Sequence, residues 1–162
     1  KLGEERWLHA AEKYAHFLVN YAEKHHFVTR RNGILVFDYR PGEKPDRPIP
    51  THVSLNHHVT EMNFLYEMYK TTQEERYFSL AQRMRQGVKD TAEQWIKPDG
   101  DLWYAYQVDG TWGLKDYPEL TLNDLRLSQR LITELTGEPD PDFAYLIQVK
   151  EAFLQRSAAR GR

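Results

Sequence analysis

The stretch VSLNHHVTEMNFLYEMY, residues 53–69, indicates a buried helix at the centre of a helical fold. Ser54 is a residue type that caps helix N-termini. Apolar and aromatic residues follow it on several sides of the helix rather than along one stripe, which is typical of a helix enclosed by neighbours. We therefore expect a core that includes Leu55, Val59, Met62, Tyr66, Leu122 and Leu131.

The surroundings of this helix recur 67 residues later in the chain, which indicates an internal repeat. The positions that coincide are Asn32-Gly33 with Asp99-Gly100, Leu35 with Leu102, Tyr39 with Tyr106, Leu55-Asn56 with Leu122-Asn123, and Glu67 with Glu134. Their agreement in a single register without a gap predicts two units of the same plan. In each unit a helix is followed by a β-hairpin and a second helix.

The first unit covers about residues 5–70. Its first helix, about 5–25, carries an apolar stripe at helical spacing. The stripe consists of Trp7, Ala11, Tyr14, Leu18 and Tyr21. Asn32-Gly33 then predicts a hairpin with a type I′ turn, because both residues tolerate positive φ angles. A loop with Pro41, Pro45, Pro48 and Pro50 leads to the helix at about 54–70.

The second unit covers about residues 73–136 and a last helix covers 141–156. Thr72 with Glu75 predicts a capping box for a helix at 73–95, and Asp109-Gly110 predicts the turn of the second hairpin. Thr121 is expected to cap the next helix, which ends at Gly137. Asp140-Pro141 is expected to begin the last helix, and residues 157–162 are expected to form a frayed tail.

These elements predict one mainly α domain over residues 1–156. The favoured arrangement is an α/α-toroid-like array of helical hairpins with about two and a half units, that is, an incomplete toroid. The alternative is a five-helix bundle with two β-hairpins at one end. A closed six-unit toroid at this period would need roughly 400 residues, so further toroid units upstream or a homo-oligomer are the candidate completions.

Composition excludes several classes of function. The formal net charge is −2 and no long basic run occurs, so we expect no nucleic-acid partner. No apolar stretch reaches the length of a membrane span, and the absence of cysteine removes thiol chemistry. We expect no cofactor. An extracellular or cell-envelope location is slightly favoured over a cytoplasmic one.

Asn56, His57, His58 and Glu61 form the first candidate site. His57 and Glu61 are one helical turn apart and face the same side, which suits an acid–base pair. A metal site would need a third ligand such as His52, and we predict none. Asn56 recurs in the repeat as Asn123, which favours a structural role, whereas His57 does not recur and is freer to be catalytic. The simplest alternative is a polar first turn without chemistry.

The second candidate site is the aromatic hairpin near residues 103–117. Trp103, Tyr106 and Trp112 are expected to bind substrate, because aromatic rings stack on sugars, and Trp112 is expected to be the most exposed of them. Arg126, or alternatively Lys115, is the expected cation for an acidic sugar. The carboxylates expected on the same rim, which could act as a pair on a glycosidic bond, are Asp38, Asp99, Asp101 and Asp116.

The segment from Asn32 to about Lys89 resembles the C-terminal end of D-glucuronyl C5-epimerase-like proteins. The matching features are NGILVFDY, a proline-containing loop and SLNHHVTEMNFLYEMYKTTQEERYFSLAQRM. The resemblance implies an α/α-toroid domain that handles acidic polysaccharide. The chain departs from the family pattern where Phe37 replaces a strand tyrosine, and again before the helix, where residues 49–52 contain no tyrosine. The resemblance therefore carries no catalytic residue over.

The sequence thus favours a domain or fragment of a carbohydrate-active protein, with epimerase-, lyase- or hydrolase-like action on an acidic polysaccharide. A non-catalytic module that binds carbohydrate or protein is the alternative. A purely structural domain of a longer protein is the third reading.

Overall fold

The computed structural model describes residues 2–42, 44 and 48–160, with side chains from residue 5 onward. Most of this chain is helical, so the prediction of a mainly α fold is confirmed. The helices are α1 (Leu2–Ala22), α2 (Leu55–Thr72), α3 (Glu75–Thr91), α4 (Leu120–Thr136) and α5 (Pro141–Arg160), with a 3₁₀ turn at Ala92–Trp95. The strands are β1 (His26–Val28), β2 (Ile34–Val36), β3 (Tyr39–Arg40), β4 (Ile49–Pro50), β5 (Val53–Ser54), β6 (Trp103–Tyr106) and β7 (Trp112–Lys115).

Helix α2 lies at the centre of the molecule. It packs chiefly against α3 and α4, and α1, β5 and β6 cover further parts of its surface. The amide of Asn63 also donates a hydrogen bond to the Asp124 carbonyl, which joins α2 to α4. The core prediction is confirmed, because all six of the residues that it named are buried. Burial on several sides explains why this helix lacks a clear polar stripe.

His58 belongs to the core rather than to a site. Its Nδ1 atom accepts a hydrogen bond from the Val36 amide, and Nε2 lies 3.1 Å from the Met84 carbonyl. This pattern requires a neutral ring with its proton on Nε2. Burial accordingly lowers the pKa of His58 to about 4. The ring ties β2, α2 and α3 together.

The strands form three small antiparallel sheets, in the orders β1-β2, β3-β4 and β5-β6-β7. In the last sheet Val53 pairs with Tyr106 and Ser54 with Ala105, so the second hairpin lies beside the start of α2. The loop after β2 was expected to be irregular, but β3 and β4 make it a third hairpin. The predicted loop residue Pro45 lies outside the described residues.

The turn at Asn32-Gly33 differs from the type I′ prediction. Only Asn32 has a left-handed φ, of 62°, and the Thr29 amide donates to the Gly33 carbonyl at 2.8 Å. This is a three-residue loop that ends in a left-handed residue. The same hydrogen bonds recur at 97–101 and at 107–111, where Gly100 and Gly110 take the left-handed position.

Gly33 is needed for packing rather than for its φ angle. A Cβ atom added there would overlap the backbone of Gly87 in α3, and one added at Gly87 would overlap the Ile34 carbonyl. The two glycines therefore let β2 lie directly on α3. Asp90 secures this contact, because it accepts hydrogen bonds from the Thr29 hydroxyl and the Arg31 amide at the turn.

Each half contains a helix, two pairs of strands or bridges and a second helix, whereas the predicted unit had a single hairpin. The offset at the first turn is 68 rather than 67, because the Val28–Ile34 pair corresponds to the Ile96–Leu102 bridge. Asn56 is buried while Asn123 is exposed, so these two residues have different surroundings. The contacts between the described elements do not define a toroid.

Two of the predicted helix caps are wrong. Helix α3 begins at Glu75 after Glu74, and the Thr72 hydroxyl instead donates to the Met68 carbonyl within α2. Thr121 lies inside α4 and donates to Asp116. In both places the side-chain hydroxyl donates to a nearby acceptor and does not cap the predicted helix.

The predicted ends around α5 are largely confirmed. Gly137 ends α4 with a φ of 84°, and Asp140 caps α5 by accepting the Asp142 amide at 3.0 Å. Helix α5 runs on to Arg160, so most of the predicted tail is helical. Residues 161–162 lie outside the described part.

The apolar stripe of α1 is only partly buried. Leu18 and Tyr21 lie in the core, but Trp7 is 73% exposed and Tyr14 is 36% exposed. The stripe prediction is therefore wrong at Trp7, whereas Tyr14 is only partly covered and contacts Glu61 and Phe64 of α2. Among the described helices, none combines the length and apolar character needed to cross a membrane.

Candidate active site

Asp38 is the centre of a polar cluster at the start of α2. Its backbone pairs with the chain before that helix, because the Asp38 amide donates to the His52 carbonyl at 2.6 Å and the Thr51 amide donates to the Asp38 carbonyl at 2.8 Å. These two bonds extend the short β3–β4 ladder. They bring residue 38 beside residues 51–54 despite the long loop between them.

The Asp38 carboxylate is held in one orientation. Oδ2 accepts the Ser54 hydroxyl at 2.5 Å, and Oδ1 accepts the Ser54 amide at 3.3 Å. Ser54 is the residue before α2, as predicted, but its hydroxyl serves Asp38 and makes no cap hydrogen bond. The carboxylate is only 10% exposed. Its charge therefore acts mainly on the side chains that lie next to it.

Two histidines approach the same carboxylate oxygen. His52 Nε2 lies 3.4 Å and His57 Nδ1 lies 3.5 Å from Asp38 Oδ2. Hydrogen bonding to Asp38 raises the pKa of His57, and the negative charges of Asp38 and Glu61 act in the same direction. His57 is 64% exposed. With Nδ1 directed at Asp38, its Nε2 atom is available to exchange a proton with a bound molecule.

His57 also lines a cavity of about 290 Å³ with Tyr14, Tyr39, Thr60 and Glu61. We call this the polar cavity. The Tyr14 hydroxyl donates to Glu61 Oε1 at 3.2 Å. Burial raises the pKa of Glu61 to about 7, and the charge of Asp38 adds to the effect. Glu61 therefore holds or releases a proton near neutral pH.

Tyr14 and Tyr39 bring two phenol groups to the polar cavity from different elements. Burial and the charge of Glu61 raise the pKa of Tyr14 well above its ordinary value, so it stays a hydrogen-bond donor. Tyr39 stands in β3, where it packs against Tyr21 and Phe17 of α1. Sequence reasoning assigned Tyr14 to the core and Tyr39 to the repeat. The signal for Tyr39 was its place directly after Asp38.

Tyr104 borders the cluster on the other side. Its ring lies 5.6 Å from that of His52 and 5.6 Å from that of Tyr117. The second hairpin thus contributes to the surroundings of Asp38 through Tyr104, an aromatic residue of the second candidate site that was not among the expected substrate-binding residues. Among the described residues, no group of three or more potential ligand side chains is arranged to hold a metal ion.

Two of the predicted substrate-binding residues lie elsewhere. Tyr106 and Trp112 line a separate cavity of about 300 Å³, which shares no lining residue with the polar cavity. Trp112 was expected to be exposed, but it is half-buried, with its ring edge-on to Trp95 at 4.5 Å. Trp103 also stands apart, under the Lys97 ammonium at 5.5 Å.

Arg126 faces a third crevice, between α4 and α5, where its guanidinium pairs with Glu151 at 2.8 Å. Lys115, the alternative cation, is exposed on β7 opposite Trp103. Neither of them lines the polar cavity.

The prediction that two rim carboxylates act as a pair is wrong. Asp101 and Asp116 are buried and both bind the Lys150 ammonium, at 2.7 Å each. Asp99 accepts the Asp101 amide within its turn. Only Asp38 among the four candidate carboxylates contacts an expected catalytic residue.

The polar cavity therefore unites both predicted catalytic residues, His57 and Glu61, with three residues that sequence reasoning did not assign to catalysis. Comparisons with protein-family models, curated proteins and solved structures find no match for this chain. Its geometry is what supports a function.

Proposed function

We propose that this chain is a domain of a carbohydrate-active protein that transfers protons on an acidic polysaccharide, by epimerisation or elimination at a uronic acid residue. The observation that carries the proposal is the presence of His57 and Glu61 in one cavity. The first is oriented by Asp38 and the second has a pKa of about 7. Such a pair can remove and return a proton near neutral pH.

The reaction assigns one role to each residue. In a uronic acid, the hydrogen on the carbon beside the carboxylate is acidic enough for a base to remove it. His57 Nε2 takes this proton, and the electron pair passes to the carboxylate as an enolate. Protonated Glu61 then gives its proton to the opposite face of this carbon and is left as a carboxylate, which inverts the carbon. If the neighbouring glycosidic oxygen leaves instead, protonated Glu61 supplies its proton and an unsaturated sugar results.

Hydrolysis is a less suitable use of this site. A hydrolase needs a second carboxylate that is free to attack the sugar or to activate water. Asp38 is the nearest candidate, but its Oδ2 atom accepts the Ser54 hydroxyl and lies 3.4 Å from His52 Nε2 and 3.5 Å from His57 Nδ1. Asp38 is better suited to hold His57 and to stabilise its protonated form, as carboxylates do in other His–Asp pairs.

The proposal includes the architecture. We propose that the repeated helical hairpins are part of an α/α-toroid-like array, and that further units or a second copy complete a groove for the polymer. The resemblance of residues 32–89 to D-glucuronyl C5-epimerase-like proteins supports this choice of substrate. An extracellular or cell-envelope setting agrees with such a substrate.

The test is proton exchange in deuterated water. The protein is incubated with a glucuronate-containing polysaccharide, deuterium at the carbon beside the carboxylate is followed by NMR, and unsaturated product is followed by absorbance. We expect His57→Asn and Glu61→Gln each to lower the rate by at least about 100-fold. Glu67→Gln is the matched control, because Glu67 is exposed on the same helix.

Two results would contradict the proposal. One is the absence of both exchange and product on uronate polysaccharides. The other is full activity in both variants.

One observation favours a second candidate, a non-catalytic carbohydrate-binding module. Tyr106 and Trp112 form an aromatic wall in their own cavity, and that wall needs no acid or base to bind a sugar. Binding of a polysaccharide without exchange or product would favour this reading.

A further inference from the structure

The cavity lined by Tyr106 and Trp112 has a rigid aromatic wall. We call it the aromatic cavity. The Tyr106 and Trp112 rings lie 4.6 Å apart across the β6–β7 pair, and Phe27 meets Tyr106 edge-on at 4.9 Å. Trp95 supports Trp112 from the core. The wall therefore needs little ordering when a ligand binds, which favours affinity.

The aromatic cavity also has polar lining residues. They are Thr29, Arg30, Asp90, Thr91 and Gln94. Thr29 donates to Asp90, while Thr91 donates to the Gly87 carbonyl and accepts the Trp95 indole N–H. Both threonines are thus already engaged.

The negative charge of Asp90 is balanced by neighbouring residues. Although burial acts in the opposite direction, hydrogen bonds from Thr29 and Arg31 hold the pKa of Asp90 well below its ordinary value. The Arg31 guanidinium and the Gln86 amide satisfy its Oδ1 atom. Because Arg31 balances this charge, the net charge at the cavity comes from Arg30.

Arg30 is placed to meet an anion. It lines both the aromatic cavity and an adjoining polar one that Lys89 also lines. It is exposed, and it forms no ion pair with any residue that the structure describes. A free guanidinium next to an aromatic wall matches a ring that carries a carboxylate, because the fork binds carboxylate in a bidentate manner while the ring stacks.

We infer that the aromatic cavity is a binding subsite for one uronate residue of a saccharide, with Arg30 contacting the carboxylate and Trp112 and Tyr106 contacting the sugar ring. A volume of about 300 Å³ is at the lower end for small-ligand sites and suits a single ring. The choice of a saccharide rests on the proposed function, whereas the pairing of an aromatic wall with a cation does not.

The subsite and the polar cavity are close enough for one polymer. Leu35 lines the first and Tyr39 lines the second, and four residues of extended chain span at most about 14 Å. A uronate held at Arg30 would therefore position the chain that passes His57.

The experiment measures calorimetric binding of an oligosaccharide of alternating glucuronate and N-acetylglucosamine, with cellotetraose as the neutral probe. We expect saturable binding of the uronate probe and at least about tenfold weaker binding of cellotetraose. Arg30→Gln should raise the Kd for the uronate probe by about tenfold or more, because loss of a hydrogen bond between charged groups weakens binding by about this factor. Arg130→Gln is the matched control, because Arg130 is an exposed arginine on α4.

A substitution in the polar cavity distinguishes this inference from the proposed function. His57→Asn should abolish proton exchange but leave uronate binding within about twofold. Trp112→Phe, which keeps an aromatic ring, should bind more weakly than the parent while its circular dichroism is unchanged.

Several outcomes would overturn the subsite. They are absence of uronate binding by the parent, equal binding by Arg30→Gln, and equal affinity for the neutral probe. Binding that is lost in His57→Asn but kept in Arg30→Gln would place the sugar in the polar cavity alone. That result would support the proposed function and reject the subsite.

Discussion

At the scale of single residues, the two adjacent histidines at the start of α2 have opposite environments. His57 is exposed and its pKa is raised through its hydrogen bond to Asp38, whereas burial lowers the pKa of His58 to about 4. A rotation of about 100° along the helix is enough to place one ring in the site and the next in the core. Only the His57 ring is accessible to a molecule from solvent.

The buried His58 makes folding stability depend on pH. In the unfolded chain its pKa is about 6.5, so the unfolded state binds the proton first as the pH falls. His58 therefore lowers the free energy of unfolding between about pH 6.5 and about pH 4, by up to about 3 kcal/mol. Glu61 acts in the opposite direction, because its pKa of about 7 in the folded state lies above that of an unfolded glutamate.

A comparison of variants isolates the His58 contribution. His58→Gln should be less stable than the parent at neutral pH, because hydrogen bonds to Val36 and Met84 are disturbed. The difference should shrink by about 2–3 kcal/mol at about pH 4.5, measured by urea unfolding. Glu61→Gln should show the opposite pH trend. A difference between parent and His58→Gln that is the same at both pH values would contradict the assignment.

At the scale of elements, the contact of β2 with α3 depends on the absence of two side chains. Gly87→Ala in an ordinary helix interior would raise stability by up to about 1 kcal/mol. Here the new Cβ would overlap the Ile34 carbonyl, and overpacking of this kind costs about 1–3 kcal/mol. We therefore expect a lower melting temperature.

Gly113→Ala in β7 is the control for this substitution, because the nearest atom to its added Cβ is the Gln107 amide nitrogen at 3.9 Å. A Gly87→Ala protein that melts at or above the parent temperature would show that the strand and helix can separate without cost.

Local sequence patterns explain which parts of the fold could be predicted. Periodicity placed the helices and the core of α2, and one-turn spacing placed His57 beside Glu61. Asp38 was only one of four candidate carboxylates, and its pairing with His57 was not predicted, because it reaches His57 through the β3–β4 pairing and the contact with Ser54. No short-range pattern specifies that pairing. Tyr14 was not predicted as a site residue for a similar reason. Its place in the apolar stripe does not show that its hydroxyl donates to Glu61 of α2.

At the scale of the whole molecule, a buried ion cluster joins the last helix to the second hairpin. Lys150 of α5 contacts Asp101 and Asp116, and Thr121 of α4 donates to Asp116 at 2.6 Å. Burial raises the pKa of Asp116 although Lys150 acts against this. The cluster ties together residues up to 49 positions apart.

Replacement of Lys150 should strongly lower the free energy of unfolding. Lys150→Met leaves two buried carboxylates without a cation, which costs about 3–5 kcal/mol in other buried pairs. Chemical unfolding should show this loss. Adding Asp101→Asn and Asp116→Asn to the same protein should recover part of the stability, since the uncompensated charges are then gone. An unfolding curve for Lys150→Met that superposes on the parent curve would refute the role of the cluster.

The first turns of α1 are exposed, although the same helix contributes Tyr14 to the polar cavity. Helix α1 contributes Tyr14 to the wall of the polar cavity, yet its first turns are poorly covered, whereas α2 is enclosed on several sides. Segments with few buried contacts open locally at a small fraction of the global unfolding free energy. We therefore expect the first turns of α1 to open locally more readily than α2, while His57 and Asp38 keep their positions.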